Sequence, residues 1–325
     1  MSFSYLIISL LFIATHQNTL SSQKTVEDIL PLETVAWSPD GTKIAVGGGG
    51  HQCGDFEAHS ILIIDANTQQ ILLTLKGHKC AVVNVAWSPD GSMLVSGSAD
   101  GTARIWDMAT GDELSRSTEC AGLTTQTGQV WSPDGLKIAD FCDGGHLIQI
   151  WNALTGDNLV SYEDSGFINS VSWSPDGSQL AIGSVNAIDL IDAKDASLQG
   201  SFVMKAGSMT AIDWSPDGSR IAFAGGDNKI RILDVSTEDI YWTLSGHGDF
   251  ITALVWSPDS EILASASLDG SVRIWDAEDG QQQAIIESST GKMNDVDWSP
   301  DGSQIAYVGV GIEDYPLQIK SMSDS

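Results

Sequence analysis

Two groups of residues in this chain could carry out acyl transfer. One is His78, Ser96 and Asp100; the other is His247, Ser265 and Asp269. A serine-type hydrolase needs such a trio: a hydroxyl to attack, an imidazole to take its proton, and a carboxylate to orient the imidazole. The spacing points elsewhere. In both copies the His lies 28 residues, the Ser 10 and the Asp 6 before a tryptophan, Trp106 or Trp275. A nucleophile must also be exposed beside an oxyanion hole, and the chain has no Gly-x-Ser-x-Gly turn. A trio repeated at identical spacing reads as part of a repeated architecture, and no catalytic residue is expected.

Other chemistry is thinly represented. There is no phosphate-binding Gly-x-x-x-x-Gly-Lys loop, no Gly-x-Gly-x-x-Gly after a strand, no His-Glu-x-x-His and no calcium loop. His51, Cys53, His59 and Cys80 follow no recognised zinc spacing. No metal and no cofactor are expected.

The elements that must position these residues come from a repeat. Trp-Ser-Pro-Asp-Gly occurs at Trp37, Trp87, Trp131, Trp173, Trp214 and Trp298, and Trp-Ser-Pro-Asp-Ser at Trp256. Successive tryptophans are 50, 44, 42, 41, 42 and 42 residues apart, a period typical of repeat folds. Each unit has the same grammar. Unit two begins with a β-branched run ending at Trp87. In Ser88-Pro89-Asp90-Gly91 the Ser, the Pro and the Gly suit the first, second and fourth positions of a type I turn, and the proline has no N–H to offer a strand. Three further short strands follow, "MLVSGS", "TARIWD" and "LSRS", separated by tight turns. The early strands are apolar on both faces and the last is mostly polar. Such a sheet is sandwiched between neighbours on the inside and meets water at its outer strand, and sheets of this kind packed around an axis make a propeller.

The chain resembles the WD-repeat family. The resemblance rests on Gly77-His78 and Gly246-His247, on Ile-Trp-Asp at 105–107 and 274–276, on Ile-Trp-Asn at 150–152, and on weaker echoes ending at Asp65, Asp192 and Asp234. It covers nearly everything after about residue 25. It implies an all-β fold: a seven-bladed β-propeller with four-stranded antiparallel blades, its ring closed by an N-terminal strand. That strand would be Thr19–Glu27 or the apolar Tyr5–Ala14 run. Residues 1–22 read as a signal peptide or an N-terminal extension, and 23–325 as one propeller. The two trios, with Trp106 and Trp275, become structural tetrads that hold each blade by one chain of hydrogen bonds. Phe141, Ala181 and Phe223 replace the tetrad Ser in units three, four and five. In this frame all four cysteines lie towards one face, and the pairs Cys53–Cys80 and Cys120–Cys142 are candidate disulfides.

The functional expectation is a non-enzymatic scaffold for protein–protein interaction. A TolB-like secreted or periplasmic accessory propeller and an enzyme with an axial metal or cofactor site are the alternatives. The chain carries 15 Lys+Arg against 43 Asp+Glu, a net charge of −28. That gives no basic footprint for nucleic acid. Apart from Tyr5–Ala14, which is too short to span a bilayer as a helix, no segment suits a membrane. Partners are other proteins, joined by a monomeric propeller. An extracytoplasmic location is favoured over the cytoplasm. Unit one is about eight residues longer than units two to six, in "GGGGHQCGDFEAHS", and unit seven carries the unusual "GVGIEDYP". In a ring the two odd loops are neighbours, so His51, Asp55, Phe56, His59, Glu313, Asp314 and Tyr315 form a candidate partner-binding patch.

Overall fold

A computed structural model describes residues 31–49, 53–54, 59–117, 131–142, 145–164, 166–287, 291–310 and 317–322. Every regular element named among them is a β-strand, and every named pairing is antiparallel. Unit two shows the plan: Val82–Trp87, Met93–Ser98, Ala103–Asp107 and Glu113–Ser117 pair in that order. Val85 faces Ser96, Ser96 faces Arg104, and Ile105 faces Ser115. The first three strands are largely buried, while the outer one alternates between half-buried and exposed. Units one and six repeat this four-stranded order.

Units four and five differ from the expectation of separate sheets. Leu198–Trp214 runs as one strand from the outer edge of unit four into the first position of unit five, so the two units share a six-stranded sheet. The segment contains no proline to end it, and Gly207 within it takes the left-handed φ 78° that glycine adopts readily. Gln179–Asp192 likewise carries two buried stretches on either side of exposed Val185 and Asn186. Units three and seven show three-stranded sheets among the described residues, with Trp131 bridging Ile138 where the first strand of unit three is expected. The expected closing strand, in residues 1–30, lies outside the described residues.

The core sits between units. Leu94 and Trp106 of unit two pack with Ile61 and Ile63 of unit one. Corresponding clusters join units two and three, three and four, four and five, five and six, and six and seven. A further cluster joins Leu32, Val35 and Ile44 of unit one to Ala306, Val308 and Leu317 of unit seven. Each fully buried Ile or Leu in these layers stabilises by about 1.5–3 kcal/mol.

The repeated phrase builds a self-contained turn. In unit two Gly91 N–H donates to Ser88 C=O at 2.8 Å and the Ser88 hydroxyl donates to Asp90 at 2.7 Å. Met93 N–H donates back to Ser88 Oγ and Ser92 N–H to Asp90. The Ser38 hydroxyl, doing the same in unit one, holds the Asp40 carboxyl down at about 2. Gly91 is left-handed, φ 71°, and a Cβ there would lie 3.6 Å from Pro39 of the preceding turn. Gly41 stands in the same relation to Pro300 of unit seven. In unit six the position is Ser260, held at φ 64°, whose hydroxyl oxygen accepts the N–H of Asp217 in unit five at 3.1 Å. A left-handed non-glycine residue carries strain, and here a hydrogen bond between units offsets it.

Candidate functional site

The two trios are assembled as the spacing requires. In unit two Ser96 is on the second strand and Trp106 on the third; His78 precedes the first, and Asp100 is in the turn between second and third. Trp106 Nε1–H donates to Ser96 Oγ at 2.8 Å, Ser96 Oγ is 2.8 Å from His78 Nε2, and His78 Nδ1 is 3.1 Å from Asp100 Oδ2. Unit six repeats the chain through Trp275, Ser265, His247 and Asp269 at 2.9, 2.7 and 3.0 Å. Both aspartates sit below the ordinary carboxylate range despite burial, held there by bonds to His, to a hydroxyl and to backbone N–H groups. An ionised carboxylate only accepts, so Nδ1 carries the imidazole proton. Burial lowers the pKa of both histidines, which keeps them neutral, so Nε2 accepts the serine proton. The polarity is that of a hydrolase triad. The accessibility is not: Ser96 and Ser265 are 0% exposed, and each Oγ is already occupied by an indole N–H.

The glycine of each Gly-His pair has a steric reason. A Cβ on Gly77 would collide with the Arg104 guanidinium and come 3.2 Å from Trp106, and one on Gly246 would meet Arg273 and Trp275 in the same way. Arg104 bridges to Glu113 at 2.7 Å on the outer strand. At the Ser position of units four and five, Ala181 and Phe223 are fully buried in apolar clusters; the Phe141 side chain lies outside the described residues.

Cys53 and Cys80 form a disulfide, their Cα atoms 4.3 Å apart, linking unit one to the segment before the first strand of unit two. The Cys120 side of the other pair, and the Cys142 side chain, lie outside the described residues. So do His51, Asp55, Phe56, Glu313, Asp314 and Tyr315 of the expected patch. His59 is described and does not suit an exposed patch: it is 1% exposed, with neither ring nitrogen hydrogen-bonded among the described residues. Among the described residues no three metal-ligating side chains are gathered, and no helix is long and apolar enough to cross a membrane.

A second polar system, not anticipated from the sequence, runs along the first strands. Residues one and three before the repeated Trp reach to the next unit. Ser172 accepts the N–H of Trp214 and Ser170 that of Ile212, both at 3.0 Å. Asp213 accepts the N–H of Trp256 at 3.0 Å. Thr34 accepts that of Val85 at 3.3 Å. Between units seven and one, Asp295 accepts from Val35 N–H and from the Thr34 hydroxyl, both at 3.0 Å, and Asp297 accepts from Trp37 N–H at 2.7 Å. The repeated indoles cross the same gaps: Trp87 donates to Ala36 C=O at 3.1 Å and Trp131 to Ala86 C=O at 3.0 Å. These strands line an open cavity of about 470 Å³ to which all seven units contribute, with Asp213, Asp295 and Asp297 in its wall. Burial pushes Asp213 and Asp295 up to about 7. Burial also raises Asp297, reinforced by the negative charge of Asp295 and Asp213. Ser170, Ser172, Asp213 and Asp295 are buried polar residues on the first strands and Asp297 is a half-buried one, but Ala36, Ala86 and Val255 stand at the position of Asp213 and Asp297 in units one, two and six, so no regular signal marks the system in the sequence.

A family model described as "WD domain, G-beta repeat" matches residues 69–107, 156–188, 196–234 and 239–276. THO complex subunit 3 of Arabidopsis thaliana is 32% identical over 110 residues, which is 33% of this chain and 35% of that protein. Guanine nucleotide-binding protein subunit beta-1 of Nicotiana tabacum is 28% identical over 180 residues, 51% of this chain and 46% of that one. WD repeat and HMG-box DNA-binding protein 1 of Mus musculus is 25% identical over 166 residues, 48% of this chain and 14% of that one. The chain spans less than half the length of each of these relatives.

Proposed function

We propose that this WD-repeat chain is a closed, seven-bladed β-propeller, one domain over residues 23–325, acting as a non-enzymatic scaffold that docks other proteins. The observation that carries the reading is that all seven units line one cavity. A row of sheets with free ends would not bring the first and the last unit to the same cavity, and the bonds and apolar contacts between units seven and one support closure.

The scaffold role is supported by what the polar constellations do. Each hydroxyl, imidazole and carboxylate of the tetrads is used up in holding its own blade together. THO complex subunit 3 is by its name part of a complex, which suits a docking role. WD repeat and HMG-box DNA-binding protein 1 is by its name DNA-binding; the net charge of −28 argues against a nucleic-acid partner for this chain. An extracytoplasmic location is part of the proposal, supported by Cys53–Cys80, because such bonds persist in oxidising compartments. Non-reducing mass spectrometry of native protein checks this: two thiols there would contradict it.

Size-exclusion chromatography of extract from the native host, with mass spectrometry of the fractions, tests the scaffold. The chain is expected to elute in complexes with stoichiometric partners. Elution of all of it at its monomer mass would overturn the reading.

A further inference from the structure

The repeats supply a control inside the molecule for what each turn position needs. The residue after the five-residue phrase is Thr42, Ser92, Ser178, Ser219 and Ser303 in units one, two, four, five and seven, and Glu261 in unit six. In the first five the hydroxyl donates to the turn aspartate at 2.7–2.8 Å. Unit three has Leu136, which gives up that bond and is 55% exposed. The second position of the turn after the third strand is Asn67, Ala109, Lys194, Ser236 or Glu278 in five other units, and Leu154, 66% exposed, in unit three. The two turns are neighbours, joined by Ala153 N–H donating to Leu136 C=O at 3.0 Å.

A lone exposed leucine is ordinary. Here two turn positions that are polar or small in the other units turn apolar in the same unit, on neighbouring turns, and one of them forfeits a hydrogen bond. Each leucine leaves more than half of its side chain in water. Each turn also carries an exposed acid: Asp134 accepts the N–H of Leu136 at 3.0 Å, and Asp157 accepts the hydroxyl of Thr155 at 2.8 Å.

We propose that Leu136 and Leu154 are a docking surface for an amphipathic basic segment of a partner protein, its apolar face on the leucines and its Lys or Arg side chains towards Asp134 and Asp157. Charge selects this occupant. A second copy of a chain at −28 would be repelled, whereas a cationic segment is attracted and its apolar side chains find the leucines. The proposal deepens the scaffold reading and rests on it.

The test uses the full chain and a fluorescent synthetic peptide of about 18 residues, long enough for an amphipathic helix, with Leu on one face and Lys on the other. A Leu–Glu peptide of the same pattern is the control. Anisotropy is read against wild type and the Leu136→Ser/Leu154→Asn double variant, which restores residue types found in other units and leaves the net charge unchanged. The variant is expected to bind the Leu–Lys peptide about tenfold more weakly, the order expected from losing the burial of two half-exposed leucines. Its melting temperature should equal or exceed that of wild type, because Leu136→Ser restores a hydroxyl within reach of Asp134. Equal affinity for the two proteins, absence of binding to wild type, or equal binding of the Leu–Glu peptide overturns the proposal. A scaffold that docks through another face would pass the size-exclusion test and fail this one, so the two failures are distinguishable.

Discussion

The carboxylate of Asp297 accepts the backbone N–H of Trp37 at 2.7 Å, across 260 residues of chain. It joins the last unit to the first. Asp297→Ala leaves that N–H without its acceptor, and a buried unpaired donor costs about 1–3 kcal/mol. Asp297→Asn keeps an acceptor oxygen. Denaturant unfolding should therefore show a clear loss for the Ala variant and a smaller one for the Asn variant. Equal midpoints for Ala and wild type would mean that the bond does not fasten the ring.

The buried acids make stability depend on pH. Unfolded, such carboxyls release their protons near 3.8; folded, Asp213 and Asp295 keep theirs to about 7. Between those values the folded state binds more protons, so this contribution falls as pH rises. Calorimetry at about pH 5 and about pH 8 should show wild type losing more melting temperature over the interval than Asp213→Asn. An equal loss in both would contradict the assignment.

The tetrad histidines act in the opposite sense. Burial lowers the pKa of His78 below its ordinary 6.5, so the stability it contributes is present above 6.5 and is lost as pH falls from there through the lower folded value. Ser96→Ala removes the acceptor of the Trp106 indole N–H and the partner of His78 Nε2. A loss of about 1–3 kcal/mol is expected by denaturant unfolding. A hydrolytic activity present in wild type and abolished at unchanged stability would show the trio to be catalytic after all.

The Cys53–Cys80 bond closes a loop with a sequence separation of 27 residues. Such a cross-link stabilises by about 2–4 kcal/mol, mainly by restricting the unfolded chain. Cys53→Ser/Cys80→Ser should lower the melting temperature under oxidising conditions and match reduced wild type. No difference between the oxidised wild type and the variant would exclude the bond from solution.

The period, the turn and the tetrads were legible because they use the sequence at fixed spacing: His78, Ser96 and Trp106 recur as His247, Ser265 and Trp275. The ladder between units was not. Its acceptors, Asp213, Asp297 and Ser172, bond to backbone N–H groups of another unit, which leave no mark on sequence. Ala36, Ala86 and Val255 stand at the same position in units one, two and six, so the polar pattern is broken before a reader sees it. His59 misled for another reason: a histidine in a glycine-rich loop suggests exposure, yet it packs inward, 1% exposed. Leu136 and Leu154 were visible only once the turns were known to be adjacent.

Amide hydrogen exchange at Trp37 tests the closed ring most directly. Its N–H is donated to Asp297 in unit seven, as that of Trp256 is donated to Asp213 in the adjacent unit five. Closure predicts that the Trp37 amide is protected to within about tenfold of the Trp256 amide, as expected when both open with the same cooperative unit. Exchange of Trp37 near the rate of an unprotected amide, with Trp256 still protected, would show that units seven and one part in solution and would contradict the account.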